Sequence, residues 1–491
     1  MSSVADKLKE AGLHSVIYGL GSVAQSALGF ILIPLLTGRL STEAFGAYSM
    51  VQMAGTIAAS VFYLGMTSAL PRSYFDYQTE QDRRSVFTTA FLILLCGAAA
   101  QVVIGFTLGG SISRVLLRTD RYGGDVAWAF LSTASAFVNQ YFFTYIRFLR
   151  HSVTSVLLSL VSLGGSVWLS LYLLERDRHD LSAPFKAIFF TQIFIILLFI
   201  WRYARGAFTR RLSRREVPVL LRFGVPTIFA SLAVMTIDWA DRLVIERARS
   251  VAEVGVYSAA FRLGSVINAL MISPFVQIWN PMMMEFRTHA NIGEFFSRII
   301  SYYFLAGTLV LLGAALLVND LLPFLARGPD YASSSPIIIL IMAGYLIHGA
   351  TNMVTAGLIY ERRVMRIVLI VYGVAVVSIL LKLALVPTYG IFGAGVASFI
   401  TYALVPLASY WQARRFFRID FEWWRLARLA VFFVGSLAWA LGGEARVGTS
   451  FVGRGAMFVA LALLLLRVGT SATERQAVRD FLRRRSVHEA E

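Results

Sequence analysis

The side chains best placed to do chemistry stand inside otherwise apolar stretches. Asp238, Asp241 and Arg242 interrupt the run Ile237-Asp238-Trp-Ala-Asp241-Arg242-Leu-Val-Ile245. A charge at the centre of a membrane helix costs about 2.5–3.5 kcal/mol, so such residues face a cavity or a partner. Asp238 and Arg242 are four residues apart and share a helical face. Three readings stay open for this group: an intrahelical Asp238–Arg242 ion pair, a link to a neighbouring helix near the outer end of the span, or carboxylates at Asp238 and Asp241 coupled to a proton or a cation. Lys382 stands a turn from the end of a later apolar run, close enough to an interface to snorkel. Arg262 lies too deep for that and points to a water-filled lumen. A lumen bearing Arg262, with Arg72 and Arg147 at its mouth and Lys382 nearby, would attract a diphosphate or a sugar acid, which the guanidinium fork grips in bidentate fashion. His348 and Asn352 share another helical face, as hydrogen-bonded structure, as a proton relay at the histidine, or as candidates with Arg262 for the substrate-binding lumen. The amides Gln25, Gln52, Asn139, Gln140, Gln192 and Asn268 either line a path for hydroxyl-rich solutes or join helices by bonds worth about 0.6 kcal/mol each.

Other chemistry is not signalled. There is no phosphate-binding loop, no His-Glu-x-x-His and no Cys/His cluster at metal-ligand spacing, so no metal, cofactor or enzymatic activity is expected. Gly390, Gly393 and Gly395 follow no strand and read as close helix packing. The one cysteine, Cys96, excludes a disulfide within the chain.

The elements that must position these groups are membrane helices. The chain is 57% hydrophobic and 15% charged, with a mean hydropathy of +0.67. About fourteen segments of roughly 20 apolar residues match the thickness of a hydrocarbon core. They are placed at 13–36, 46–70, 85–110, 125–146, 152–174, 182–203, 223–245, 253–284, 297–319, 334–358, 365–386, 390–412, 428–443 and 450–467. Met1 to Gly12 is polar and the first apolar run is long enough to remain, so no cleavable signal peptide is expected. The net charge of +17 would raise the question of nucleic acid, but its distribution answers it. With a cytoplasmic amino terminus, about 30 basic residues fall on the cytoplasmic side and about 12 opposite, as the positive-inside rule requires. Both termini are then cytoplasmic. Arg114, Arg118 and Arg121 are the exceptions, read either as a short interfacial helix or as a misdrawn third span. The arginine-rich segment from Arg202 to Arg222 is expected as a cytoplasmic linker, with Phe208 and Leu212 dipping inward from an interfacial helix.

The two parts on either side of that segment begin alike. Ser41-Thr-Glu-Ala-Phe45-Gly46-Ala-Tyr48-Ser49 has its counterpart in Ser250-Val-Ala-Glu-Val254-Gly255-Val-Tyr257-Ser258, and Pro71 and Pro281 follow at similar distances. The reading is an all-α polytopic membrane protein of about 14 transmembrane helices. Two six-helix bundles form a parallel pseudo-twofold repeat around a shared cavity, and two C-terminal helices are added. Its divisions are 1–203, the linker 204–222, 223–412, and 413–491 with a basic tail.

Several motifs carry a resemblance: Gly21, Phe30, Pro34 and Leu40, then Phe45-Gly46-Ala-Tyr48 and Leu64-Gly65-Met-Thr-Ser-Ala69. The second half adds Asp241-Arg242-Leu-Val-Ile, Gly255-Val-Tyr257-Ser258-Ala-Ala-Phe-Arg262 and Pro387-Thr-Tyr-Gly390-Ile-Phe-Gly393-Ala-Gly395-Val-Ala. In this order they resemble the bacterial polysaccharide and O-antigen flippases of the multidrug/oligosaccharidyl-lipid/polysaccharide exporter superfamily. The resemblance implies an inner-membrane flippase for a polyprenyl-diphosphate-linked oligosaccharide. It implies membrane lipids, a polysaccharide polymerase and glycosyltransferases as its partners, with no nucleic acid. The drug antiporters of that superfamily tend to carry an acidic residue in the first span and to stop at twelve spans, whereas residues 13–36 hold none and two more spans follow. A polymerase or ligase would need a long outer loop, which this chain lacks. A non-transporting scaffold would need no charged lumen.

Overall fold

The computed structural model describes residues 30–177, 180–286, 291–442, 450–470, 474 and 476. Most of the expected first span, with Gln25, lies outside the described residues, as do Lys7, Lys9, Arg287 and most of the basic tail. The chain is an all-α polytopic membrane protein: eleven helices among the described residues are long and apolar enough to cross a bilayer.

After a helical stretch at residues 30–37, the helices are α1 (Thr42–Phe62), α2 (Met66–Asp76), α3 (Glu80–Leu117), α4 (Gly123–Phe148), α5 (Ser152–Arg176), α6 (Ala183–Ala207) and α7 (Glu216–Ala248). They continue with α8 (Val251–Gly264), α9 (Ser273–Glu285), α10 (Ile292–Leu325), α11 (Ser335–Gly349), α12 (Thr351–Val354), α13 (Ala356–Tyr360), α14 (Val364–Ala413), α15 (Trp423–Leu441) and α16 (Phe451–Gly469). The 50-residue α14 is two crossings. Gly390 breaks it at φ 58°, ψ −140°, and the second leg returns so closely that a Cβ on Gly393 would stand 2.4 Å from the Leu385 carbonyl oxygen. This agrees with the separate spans expected at 365–386 and 390–412.

The repeated motif forms the same structure twice. Ser41 caps α1 by accepting from the Ala44 amide at 3.1 Å, and Ser250 caps α8 by accepting from Glu253 at 3.2 Å. Each serine satisfies an amide that has no partner within its helix, and Glu43 and Glu253 add favourable charge to the first turns. Both helices are then interrupted. Leu64 and Gly65 take left-handed φ values of 54° and 64° between α1 and α2, and a π-turn at Asn268–Ile272 separates α8 from α9.

Connections alternate between two faces. On one, Arg39 pairs with Glu175 at 3.3 Å, Arg118 pairs with Glu246 at 3.2 Å, and Arg249 donates to the Pro387 and Thr388 carbonyl oxygens at 3.0 and 3.1 Å. On the opposite, arginine-rich face the Thr209 amide donates to Thr88 Oγ1 at 3.0 Å and the Glu422 amide to Ser297 Oγ at 3.0 Å. The third span is longer than expected: α3 runs to Leu117 with Arg118 as its left-handed cap. Glu246, buried at the end of α7, neutralises Arg118, and so a basic residue is accommodated on the less basic face.

The expected linker helix does not form. Residues 208–215 are irregular, because the hydroxyls of Thr88 and Thr89 on α3 capture the amides of Thr209 and Ser213 and hold the segment as a strap. Phe208 does pack inward, against Phe91 at 5.0 Å, while Leu212 is exposed. At the other end of the chain, α15 and α16 lie along α10. Arg425 pins them by donating to the Gly469 carbonyl oxygen at 2.6 Å and pairing with Glu422 and Glu474.

Candidate functional site

Asp238, Asp241 and Lys382 gather between α7 and α14. Lys382 and Asp241 are each 0% exposed and form a direct ion pair, and the Lys382 ammonium also donates to the Ile237 carbonyl oxygen at 2.6 Å. Tyr257 on α8 donates its hydroxyl to the other Asp241 oxygen, which also accepts from Ser398 at 3.1 Å. One helical turn away, Asp238 accepts from the Tyr402 hydroxyl at 2.6 Å. The hairpin at Gly390 explains the assembly. Lys382 and Ser398 each stand eight residues from it on opposite legs, roughly 12 Å below the turn at 1.5 Å per residue. They arrive at one depth beside α7.

Two expectations are corrected here. Asp238 and Arg242 do not form the intrahelical ion pair. Arg242 instead donates to the Asp238 carbonyl oxygen at 2.9 Å, and its guanidinium lies over Trp239 at 4.4 Å and Phe261 at 4.9 Å. The Asp238 carboxylate turns towards α14, where a phenol meets it, and Arg242 finds aromatic faces that favour a cation. Lys382 is not at a mouth and does not snorkel, because a carboxylate on the neighbouring helix satisfies its charge within the interior.

Arg262 lies apart from this cluster, on the line where the two halves meet. It is half-buried, donates to the Gln52 side-chain oxygen on α1, and stands over Phe45 at 5.6 Å and Tyr48 at 5.7 Å. Two close glycine contacts flank it. A Cβ on Gly46 would stand 2.0 Å from the Val251 carbonyl oxygen and one on Gly255 2.0 Å from that of Thr42, so α1 and α8 cross backbone against backbone. Towards the arginine-rich face, a Cβ on Gly65 would meet the Gly224 carbonyl oxygen at 2.2 Å, and one on Gly224 would meet that of Leu64 at 2.2 Å. Gln52 lies between these two seals along α1 and its exit at Gly65, and Arg262 on α8 meets it there.

The remaining candidates scatter. Arg72 is exposed over Phe223 at 4.8 Å, and Arg147 is exposed and donates to Thr144 at 2.8 Å; both lie at the arginine-rich ends of their helices, well away from Arg262 in sequence depth. Gln140 is also exposed, seven residues before Arg147 and on the same face of α4. His348 reaches the cluster through Tyr402, with ring centroids 5.4 Å apart. Asn352 does not join it. Its amide donates to the Gly349 carbonyl oxygen at 3.1 Å and its own carbonyl accepts from Trp279 at 3.0 Å, which stitches the break between α11 and α12. In the first half Gln101 donates to the Phe130 carbonyl oxygen and Thr133, and Asn139 donates to Gln192, so these amides join helices. Tyr257, named in the sequence only as part of the repeat and the family motif, completes the charged cluster with Ser398 and Tyr402, which the sequence did not mark. Their only sign there is a hydroxyl at a position that helical spacing turns towards α7.

Comparisons with known proteins bear on this arrangement. The family model described as polysaccharide biosynthesis protein matches residues 14–287. The succinoglycan biosynthesis transport protein ExoT of Rhizobium meliloti (strain 1021) is 26% identical over 272 residues, 53% of this chain and 51% of that protein. The chain therefore spans about half the length of the curated relative it matches. Among solved structures, the lipid II flippase MurJ in an inward closed conformation aligns with a TM-score of 0.68 at 14% identity, covering 94% of this chain and 99% of the other. A mutant of the Vibrio cholerae MATE transporter VcmN aligns with a TM-score of 0.59 at 11% identity, covering 83% and 97%. At such identities the likeness is one of fold.

Proposed function

We propose, because this chain belongs to the polysaccharide biosynthesis protein family, that it is a flippase for polyprenyl-diphosphate-linked oligosaccharide. It carries these units from the cytoplasmic to the periplasmic leaflet of a bacterial inner membrane for surface polysaccharide assembly. The observation that carries this reading is Arg262, a half-buried guanidinium held by a neutral amide between two helix seals. A diphosphate offers it a charge-assisted, bidentate contact in place of the weaker one from Gln52. Arg72 and Arg147, at the arginine-rich and on this reading cytoplasmic face, draw the anionic head group in. Residues 13–203 and 223–412 then rock as two bundles about the shared midplane, with α15 and α16 peripheral. Parting of Gly46 from Gly255 opens the periplasmic side, and parting of Gly65 from Gly224 opens the cytoplasmic side. Of the two coupling candidates, Asp241 already faces an ammonium, so Asp238 beside Tyr402 is the carboxylate we assign to proton coupling. The polymerase and glycosyltransferases implied by the resemblance act before and after this step.

The test is Arg262→Ala. Polymer export should be lost while the amount of protein in the membrane stays nearly unchanged, and Arg262→Lys should keep part of the activity as a point charge without the fork. Normal export by Arg262→Ala would refute the reading, and disappearance of the protein would make Arg262 a structural residue.

A further inference from the structure

The Lys382–Asp241 pair has a property that carrying an anionic lipid does not itself require. Four oxygen-bearing groups from three helices converge there. The Asp241 carboxylate and the Ile237 carbonyl meet the ammonium directly, and the Tyr257 and Ser398 hydroxyls meet the carboxylate. Both charged side chains are fully buried. An ammonium donates three hydrogen bonds to such oxygens. A sodium ion would take lone pairs from the same carboxylate, carbonyl and hydroxyl groups, the ligand types that hold coupling ions between membrane helices. The difference is that this ammonium is covalently part of α14 and cannot leave.

We propose that Lys382 is a tethered counter-cation whose ammonium fills a position that would otherwise hold a sodium ion, so that Asp241 is closed to free cations in this chain. The inference concerns one carboxylate and does not rest on the transport reading. Truncating Lys382 at Cβ removes three methylenes and the ammonium and leaves a space bounded by a buried carboxylate. A buried carboxylate without a counter-charge is strongly unfavourable; a proton or a sodium ion restores neutrality, and the carbonyl and hydroxyl oxygens already gathered there give the ion further ligands. An ion bound only by the folded state raises its stability with the logarithm of ion concentration.

The experiment uses the full chain purified in lipid nanodiscs. Melting temperature is measured in sodium chloride against choline chloride at fixed ionic strength, alongside binding of radioactive sodium. The wild type should show no sodium response that depends on Asp241. Lys382→Ala should melt lower in choline, recover by several degrees as sodium rises, and bind one sodium ion. Lys382→Ala with Asp241→Asn should lose both responses. If Lys382→Ala fails to accumulate, Lys382→Ser, which offers the ion a hydroxyl, gives the same readout. Recovery of either variant only when sodium is present throughout purification supports the proposal, and recovery of neither contradicts it. Sodium binding by Lys382→Ala no greater than wild type, or binding that survives Asp241→Asn, overturns it.

Discussion

Among the described residues of the first half, the polar side chains buried between helices are amides and hydroxyls; in the second half they include charges. Gln101, Thr133, Asn139 and Gln192 tie α3, α4 and α6 together with neutral hydrogen bonds. The second half holds Asp238, Asp241 and Lys382 between α7 and α14, with Arg242 turned from α7 to α8. Yet both halves start from the same capped helix, and those two helices cross at Gly46 and Gly255. The repeat thus supplies a shape that can rock, while its divergence places the ionic chemistry on one side. The same acid–lysine pairing occurs in both halves at different depths, partly buried for Asp180–Lys186 and fully buried for Asp241–Lys382.

The largest effect should come from splitting the buried pair. Asp241→Asn leaves the Lys382 ammonium without its carboxylate and should destabilise the protein by about 3–5 kcal/mol, whereas adding Lys382→Met should restore most of that loss. Equilibrium unfolding of the single and double variants measures the coupling. Equal losses in the single and double variants would show that the pair does not act as a unit.

Next in size is the seal between the halves. Gly255→Leu must part α8 from α1, because even a Cβ there would stand 2.0 Å from the Thr42 carbonyl oxygen. Export should fall sharply, and a cysteine placed at Gln52 in a Cys96→Ser background should become accessible to a thiol reagent from the face that carries Thr42. Unchanged export and labelling would mean that the crossing is not a gate.

A smaller change is expected in the first half. Gln192→Leu removes one neutral interhelical partner of Asn139 and should cost about 0.6 kcal/mol, without a change in export. A loss as large as that of Asp241→Asn would erase the contrast between the halves.

The smallest effect concerns the exposed pair. Burial works against the charge of Asp180, but hydrogen bonds from Lys186 and Ser182 outweigh it and hold the carboxyl below its usual range. The folded state therefore gains stability from Asp180 above the ordinary carboxylate range and loses it as pH falls through the lowered value. For a pair this exposed the gain is at most about 1 kcal/mol. Asp180→Asn should abolish that acid-side slope and alter little at neutral pH, as read by unfolding at several pH values.

What could be read in advance follows from what is local in sequence. The apolar spans, the alternation of basic connections and the paired Ser-to-Tyr motifs depend on neighbours along the chain, and the capped starts of α1 and α8 bear this out. Of the structural readings that local spacing offers here, the intrahelical Asp238–Arg242 pair does not form and the link to a neighbouring helix does, since a short carboxylate can turn to another helix. Lys382 and Asp241 are 141 residues apart, and only the hairpin at Gly390 brings them to one depth. The polar role of Tyr257 and Tyr402 is not local, because a tyrosine in an apolar span looks like packing or a motif position until its hydroxyl has a carboxylate beside it. The left-handed pair Leu64–Gly65 left a visible glycine, but nothing local shows that Gly224 would lie against it.

The central claim is that the two halves rock apart around Arg262, and a reversible cross-link between them tests it most directly. Thr42 on α1 and Asp330, before α11, meet at 3.3 Å across the halves on the face where α1 and α8 cross. In a Cys96→Ser background, Thr42→Cys and Asp330→Cys joined by a short cleavable thiol cross-linker should stop polymer export, and cleavage should restore it. Export that continues with the link quantitatively formed would contradict rocking and favour a path along the protein surface.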